Sequence, residues 1–133
     1  KSHIEQNIYN SVFLTDLSYC DYDMWWTNHE SAYVSSVLRS MSGGPVYISD
    51  EVGDTKPEYI NSLVDENGNL VLCDGPALPS EECLFGHDGV LTIKNTINGK
   101  TVTAVFNLTD KDREVLFNNK IITVEANGCR LYK

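Results

Sequence analysis

Basic residues are scarce: 10 Lys and Arg stand against 19 Asp and Glu, a formal charge of −9 over 133 residues. Such a balance repels phosphate backbones, and no basic stripe interrupts it, so nucleic acid is not an expected partner. An anionic membrane surface is disfavoured for the same reason. Long apolar runs are missing as well; none approaches the roughly 20 residues that a membrane span needs. The opening Lys1-Ser2-His3-Ile4-Glu5 has no apolar centre of the kind a secretion signal carries, and it lacks methionine. The chain therefore reads as an excerpt of a longer polypeptide.

Metal-binding and disulfide patterns are also wanting. Cys20, Cys73, Cys83 and Cys129 are scattered without C-x-x-C spacing, and His3, His29 and His87 lie far apart. No metal or other cofactor is expected from these spacings. A chain with an adequate core needs no cross-links, so the expectation is four free thiols in a reducing, cytoplasmic compartment. Ser49 has no visible His and acid partners for nucleophilic work. Gly43-Gly44 closes a helix instead of opening one, which removes a phosphate loop. Asn107-Leu108-Thr109 matches the glycosylation triplet, a pattern short enough to arise by chance.

What is present has two textures. Apolar residues Ile4, Ile8, Tyr9, Val12 and Phe13 recur at helical spacing and predict a helix over residues 3 to 14. A second helix, capped by Thr27 or Asn28, carries Ala32, Tyr33, Val34, Val37, Leu38 and Met41 on one stripe and stops at Gly43-Gly44-Pro45. Val46-Tyr47-Ile48 follows as a buried parallel strand, with Asp50 at its C-terminal edge. A third helix starts near Thr55 with Pro57 in its first turn and buries Tyr59, Ile60, Leu63 and Val64.

After Asp65 the pattern turns antiparallel. Short strands are expected at Leu70 to Cys73 and at Cys83-Leu84-Phe85. Residues 90 to 97 and 100 to 107 flank Asn98-Gly99, the dipeptide of a two-residue type I′ hairpin. Thr109 to Glu114 reads as a charged turn or short helix, and residues 121 to 125 and 129 to 132 as closing strands. The expected division is residues 1–65 and residues 66–133.

One stretch holds the candidate chemistry: Cys20-Asp21-Tyr22-Asp23-Met24-Trp25-Trp26, with both tryptophans of the chain. If it is strand-like, Asp21 and Asp23 point the same way with Cα atoms roughly 6.6 to 6.8 Å apart. Carboxylates suit sugar hydroxyls, and an indole suits the apolar faces of a sugar ring. The same residue types also serve as turn caps and rim packing, with Trp26 filling an interface with the β half.

The segments Asn7 to Phe13, Asp21-Tyr22-Asp23-Met24-Trp25, Ser42 to Asp50 and Cys83-Leu84-Phe85 occur in an order that resembles the raffinose synthase and seed-imbibition-protein branch of glycoside hydrolase family 36. That branch includes α-galactosidases and galactosyl transferases, and the likeness runs from about residue 7 to 108. The resemblance implies an α+β chain: the last β/α units of a catalytic (β/α)₈ barrel, then a C-terminal antiparallel β-sandwich. It places Asp21, Asp23, Met24 and Trp25 beside a galactose subsite and Asp50 at the end of the last barrel strand; Trp26 joins them as a substrate-site candidate. It also implies that the catalytic aspartate pair belongs to earlier strands, so no catalytic residue lies in this chain. The implied partners are an α-galactoside and the missing upstream barrel. Trp25 departs from the phenylalanine of several relatives, which puts substrate length and acceptor choice in doubt.

Two other readings stand beside this one. The chain is a non-catalytic carbohydrate-binding or interaction module, or Asp21 and Asp23 are themselves a catalytic pair. The second fits poorly, because neighbours on one strand do not flank opposite faces of a sugar ring.

Overall fold

The computed structural model describes residues 2–133. Its elements in chain order are α1 (Ser2–Leu14), β1 (Met24–Trp25), α2 (Ala32–Ser42), β2 (Tyr47–Ile48), α3 (Pro57–Asn61), β3 (Leu78–Pro79), β4 (Val90–Ile97), β5 (Lys100–Asn107), β6 (Arg113–Phe117), β7 (Lys120–Val124) and β8 (Cys129–Tyr132). Among the described residues this is a mixture of helices with mainly antiparallel sheets.

The centre is a four-stranded antiparallel sheet in the order β3-β4-β5-β8. Its spine is the β4–β5 hairpin, paired from Val90↔Asn107 to Ile97↔Lys100. Asn98 and Gly99 both take positive φ, 51° and 74°, as a type I′ turn demands. Asp74 holds that turn from outside, accepting from the backbone N–H of Asn98 at 3.1 Å and of Gly99 at 3.0 Å.

Strand β5 is buried on both faces, which explains its dense run of β-branched and apolar residues. Val102, Ala104 and Phe106 face a core shared with Ile8 of α1, Tyr22, and Val34, Val37, Leu38 and Met41 of α2. Val105 faces the opposite way, into a smaller cluster with Val90 and Val124 beneath the β6–β7 hairpin. The layers are thus helices, four-stranded sheet and hairpin. The larger cluster draws on residues from both sides of position 65. Asn95 adds a polar tie, its Nδ2 donating to the carbonyls of Met41 at 2.7 Å and Gly75 at 2.6 Å.

A single parallel unit precedes this sheet. Strands β1 and β2 pair in parallel, Met24↔Tyr47 and Trp25↔Ile48, with α2 as the crossover. Closely approached glycines fix the exit of α2. Gly43 has φ 69°, and a Cβ there would lie 2.1 Å from the Gly75 carbonyl oxygen; one on Gly44 would lie 2.1 Å from that of Cys20.

Several expectations are corrected. Strand β2 is parallel, but Tyr47 is 51% exposed and Ile48 41%, so it is not buried. Helix α2 begins at Ala32, because residues 27–31 turn to bring Thr27 onto Asp50. Phe13 and Tyr33 are exposed, and α3 buries none of its residues, although Leu63 just beyond it is buried. Cys83-Leu84-Phe85 is no strand; Glu81–Cys83 forms a 3₁₀ turn and Phe85 lies in solvent. Leu70 to Cys73 supplies only an isolated Val64↔Leu70 bridge. Residues 113–117 form β6, which takes Arg113 and Glu114 out of the charged turn or short helix expected over residues 109 to 114.

Candidate functional site

The Asp21–Asp23 segment is not a strand. Asp23 takes φ 66°, a left-handed conformation uncommon outside glycine, and the chain is irregular until Met24. Local hydrogen bonds hold it there: Asp23 N–H donates to Asp21 Oδ1 at 2.9 Å, and Met24 N–H to Asp23 Oδ1 at 2.7 Å. Short carboxylate side chains reach their own backbone easily, so the turn wins over the extended form. The period-two argument that aligned the two acids therefore fails here. Both remain solvent-exposed.

From Met24 the chain enters β1 and Trp25 turns inward. Trp25 is 2% exposed, so it offers no open indole face for stacking on a sugar; that expectation is corrected. Trp26, the next residue, is 47% exposed and belongs to neither hydrophobic cluster, and Met24 is also exposed. Asp23, Met24, Trp25 and Trp26 line one cavity of about 290 Å³ together with His3, His29, Ser31, Ser35 and Arg39.

Asp50 lies elsewhere. Its carboxylate accepts from Thr27 N–H at 2.7 Å and Thr27 Oγ1 at 2.6 Å, while the same hydroxyl accepts from Lys56 N–H at 2.7 Å. Desolvation works to raise the Asp50 pKa, but the bonds from Thr27 and Thr55 outweigh it and hold the group below its ordinary value. Beyond the paired Trp25 and Ile48, Ser49 N–H donates to the Trp25 carbonyl at 2.8 Å, and Asp50 then meets Thr27. Asp50 ties the ends of β1 and β2 and is not among the residues lining the Asp23 cavity.

Two residues take roles that the sequence did not suggest: Thr27 was expected only as a possible helix cap, and Arg39 was not singled out. Thr27 is 1% exposed and orients Asp50. Arg39 is 2% exposed and cradles the β1 approach: Nη2 donates to the carbonyls of Tyr22 at 2.8 Å, Asp23 at 3.1 Å and Met24 at 2.8 Å, and Nη1 to Ser35 at 3.3 Å. Burial lowers its pKa, against an upward pull from Asp23 and Asp21. A signal existed. Arg39 follows Val37 and Leu38 and precedes Met41 in a helix whose buried face is wider than one stripe.

A larger cavity, about 900 Å³, lies between the four-stranded sheet and the β6–β7 hairpin, bordered by Thr92, Lys94, Thr103, Phe117 and Tyr132. It is remote in sequence from the acidic and aromatic stretch. Among the described residues, no group of three or more His, Cys, Asp or Glu is gathered to hold a metal ion.

The architecture is that of an α+β chain, with Asp23 beside Trp25 and Trp26 on the wall of one cavity. The family model described as "Raffinose synthase or seed imbibition protein Sip1" matches residues 1–112, and the chain belongs to that family. It is 34% identical over 106 residues to a galactinol–sucrose galactosyltransferase of Pisum sativum, covering 80% of this chain and 12% of that protein. A galactinol–sucrose galactosyltransferase of Oryza sativa subsp. japonica is 34% identical over 110 residues, 79% of this chain and 14% of the relative. A stachyose synthase of Pisum sativum is 33% identical over 110 residues, 79% and 13% respectively. The matched segment is thus only a small fraction of the length of these curated relatives.

Proposed function

We propose that this chain is the C-terminal portion of a glycoside hydrolase family 36 enzyme that processes α-galactosides, with galactosyl transfer favoured by the names of its relatives. Residues 1–65 close a (β/α)₈ barrel and residues 66–133 form the antiparallel β domain after it. The parallel β1-α2-β2 unit with its uncovered face supports this reading, because parallel strands ordinarily have both faces covered. The enzyme works in the cytoplasm, a reading consistent with four free thiols. The catalytic carboxylates come from outside this chain.

Within that enzyme Asp23 is the principal sugar contact. The observation that carries this is its φ of 66° with an exposed carboxylate on the cavity wall. Backbone held in a sparsely populated region is a recognised mark of functional sites. Asp21 orients Asp23, Met24 and Trp26 flank the sugar, Trp25 supports the wall from beneath, and Asp50 fixes the neighbouring strand end.

The test compares a polypeptide of the relatives' length carrying this segment with its Asp23→Asn variant. The variant should lose about 100-fold in kcat/KM for galactosyl transfer, the scale of a lost transition-state contact of about 2.7 kcal/mol. An unchanged kcat/KM overturns the role of Asp23. The 133-residue chain alone should not cleave a nitrophenyl α-galactoside; cleavage abolished by Asp23→Asn would show that the chemistry resides here. A second reading, a non-catalytic carbohydrate-binding module, is favoured by the hydrophobic cluster that spans both halves. Saturable calorimetric binding of galactose or raffinose by the isolated chain supports it.

A further inference from the structure

The face of the four-stranded sheet that lies under the β6–β7 hairpin changes character along its length. At one end Val90 and Val105 meet Val124 in the smaller hydrophobic cluster. Side chains alternate along a strand, so Thr92 and Lys94 of β4 and Thr101 and Thr103 of β5 share that face with the valines. There the layers part, and the cavity of about 900 Å³ opens between them. Lys94, Thr103 and Tyr132 are direct partners across β4, β5 and β8, a polar row on strands roughly 4.8 Å apart. Phe117 of the hairpin stacks on Tyr132 with ring centroids 4.4 Å apart and closes one side. Facing layers of sheet ordinarily fill such a space with apolar side chains. Here the positions are polar and their hydrogen-bonding capacity is unspent. Thr103 is 7% exposed, yet its hydroxyl and that of Thr92 have no partner among the described residues, and neither is shut away from solvent. Charge around the cavity is largely paired off. Asp88 is held by Arg113 and His87 by Glu5, which leaves Glu82 against Lys94 and Lys133.

We propose that this cavity is a saccharide site distinct from the Asp23 cavity, taking a neutral oligosaccharide on the Lys94–Thr103–Tyr132 row with its C–H faces against the Phe117–Tyr132 pair. Sugar hydroxyls both donate and accept, which suits threonine hydroxyls and a phenol, and they also accept from the Lys94 ammonium. An anion meets Glu82 and Asp88 as well as the lysines, and a wholly apolar ligand strands the threonines. The volume is at the upper end of the roughly 300–1,000 Å³ of small-molecule sites, room for more than one sugar ring. The two cavities share no lining residue, so this inference goes beyond the role of Asp23 and does not depend on it.

The experiment follows the backbone amides of the ¹⁵N-labelled chain during titration with raffinose and with maltotriose, a trisaccharide without galactose. Mapping, unlike calorimetry, tells which cavity is occupied. Amides of Thr92, Thr101, Thr103 and Tyr132 should shift saturably with at least one of the two sugars, at a Kd of about 1 mM or below. Thr103→Val keeps the side chain's shape and removes its hydroxyl, and should raise that Kd about 5-fold, the scale of one hydrogen bond. Thr101→Val, at an exposed position, takes its place if that variant does not fold. The proposal is overturned if neither sugar moves these amides at about 10 mM, ten times that Kd. It is also overturned if inorganic phosphate or galacturonate acts at lower concentration than the neutral sugars, or if the folded variant binds as before. Shifts confined to residues 23–29 overturn this site and support the Asp23 cavity; shifts confined to the sheet support this site and leave Asp23 to its own kinetic test.

Discussion

Asn107 is the polar hinge on which the second half closes, and Asn107→Ala measures how much. The side chain is fully buried. Its Nδ2 donates to the carbonyls of Lys111 at 2.8 Å, Val124 at 3.0 Å and Glu125 at 3.0 Å, and its Oδ1 accepts from Thr109 N–H at 3.0 Å and Thr109 Oγ1 at 2.7 Å. Truncation leaves the half-buried Thr109 N–H without its acceptor, while the carbonyl of fully buried Val124 loses one of two donors and keeps its place in the Arg113↔Val124 pair. One stranded donor costs about 1–3 kcal/mol. Lys111 and Glu125 are exposed, so water restores part of what they lose, and about 1 kcal/mol is added for the bonds not restored. The sum is about 2–4 kcal/mol, or roughly 8–15 °C in Tm for a domain of this size. Urea unfolding should show a lowered midpoint with an unchanged slope. Asn107→Asp should be worse than alanine at pH 7, because it faces a carboxylate with three carbonyl oxygens. A loss below about 0.5 kcal/mol for Asn107→Ala, within the range of ordinary surface substitutions, refutes the reasoning. The same burial keeps the Asn107-Leu108-Thr109 triplet from accepting a glycan once the chain has folded.

Gly43→Ala should destabilise by at least about 2 kcal/mol, since it combines left-handed strain with a Cβ 2.1 Å from the Gly75 oxygen; Gly53→Ala, with open space around its Cβ, should show the strain alone in the same thermal melt. Hydrogen bonds and partners hold Asp50, Asp65, Asp74, Glu82 and Asp88 below their ordinary pKa values. A depressed carboxylate contributes stability that is complete above its unfolded pKa and disappears as pH falls through the folded one. Unfolding free energy should therefore be level above about pH 5 and decline progressively below about pH 4; a flat profile to pH 2 contradicts these hydrogen bonds. With a thiol reagent at pH 8, Cys20, which is partly exposed, should label first. Burial pushes Cys73 up to about 11 and Cys129 up to about 12, and Cys83 is buried, so these three should react only on unfolding.

The sequence was most legible where a local rule was enough. Asn98-Gly99 defines its hairpin because only small or amide residues accept two consecutive positive φ values, and the strand bounds followed from it. Gly43 marked the end of α2 for a similar reason. What escaped depended on distant partners. Arg113 and Glu114 read as part of the charged turn at residues 109 to 114, and strand β6 went unnoticed, because it gains its apolar contacts from β7 and from Val105 on β5, far away in the chain. Asp21 and Asp23 lie exposed, but their backbone takes a turn instead of the strand considered for it, because their own side chains compete for its N–H groups. Trp25 looked like a platform because periodicity does not reveal which of two adjacent indoles points inward. Arg39 stayed hidden because its partners are backbone carbonyls, which carry no residue identity.

The Asn95 tie has a consequence for how the polypeptide behaves when cut. The Glu66–Asn69 turn is exposed and suits a protease, but a nick there severs only the covalent path, since Asn95 and the shared cluster still join the two pieces. Separately produced fragments divided at that turn should then reassemble on mixing, giving a split reporter whose recovery depends on the Asn95 amide contact to Met41.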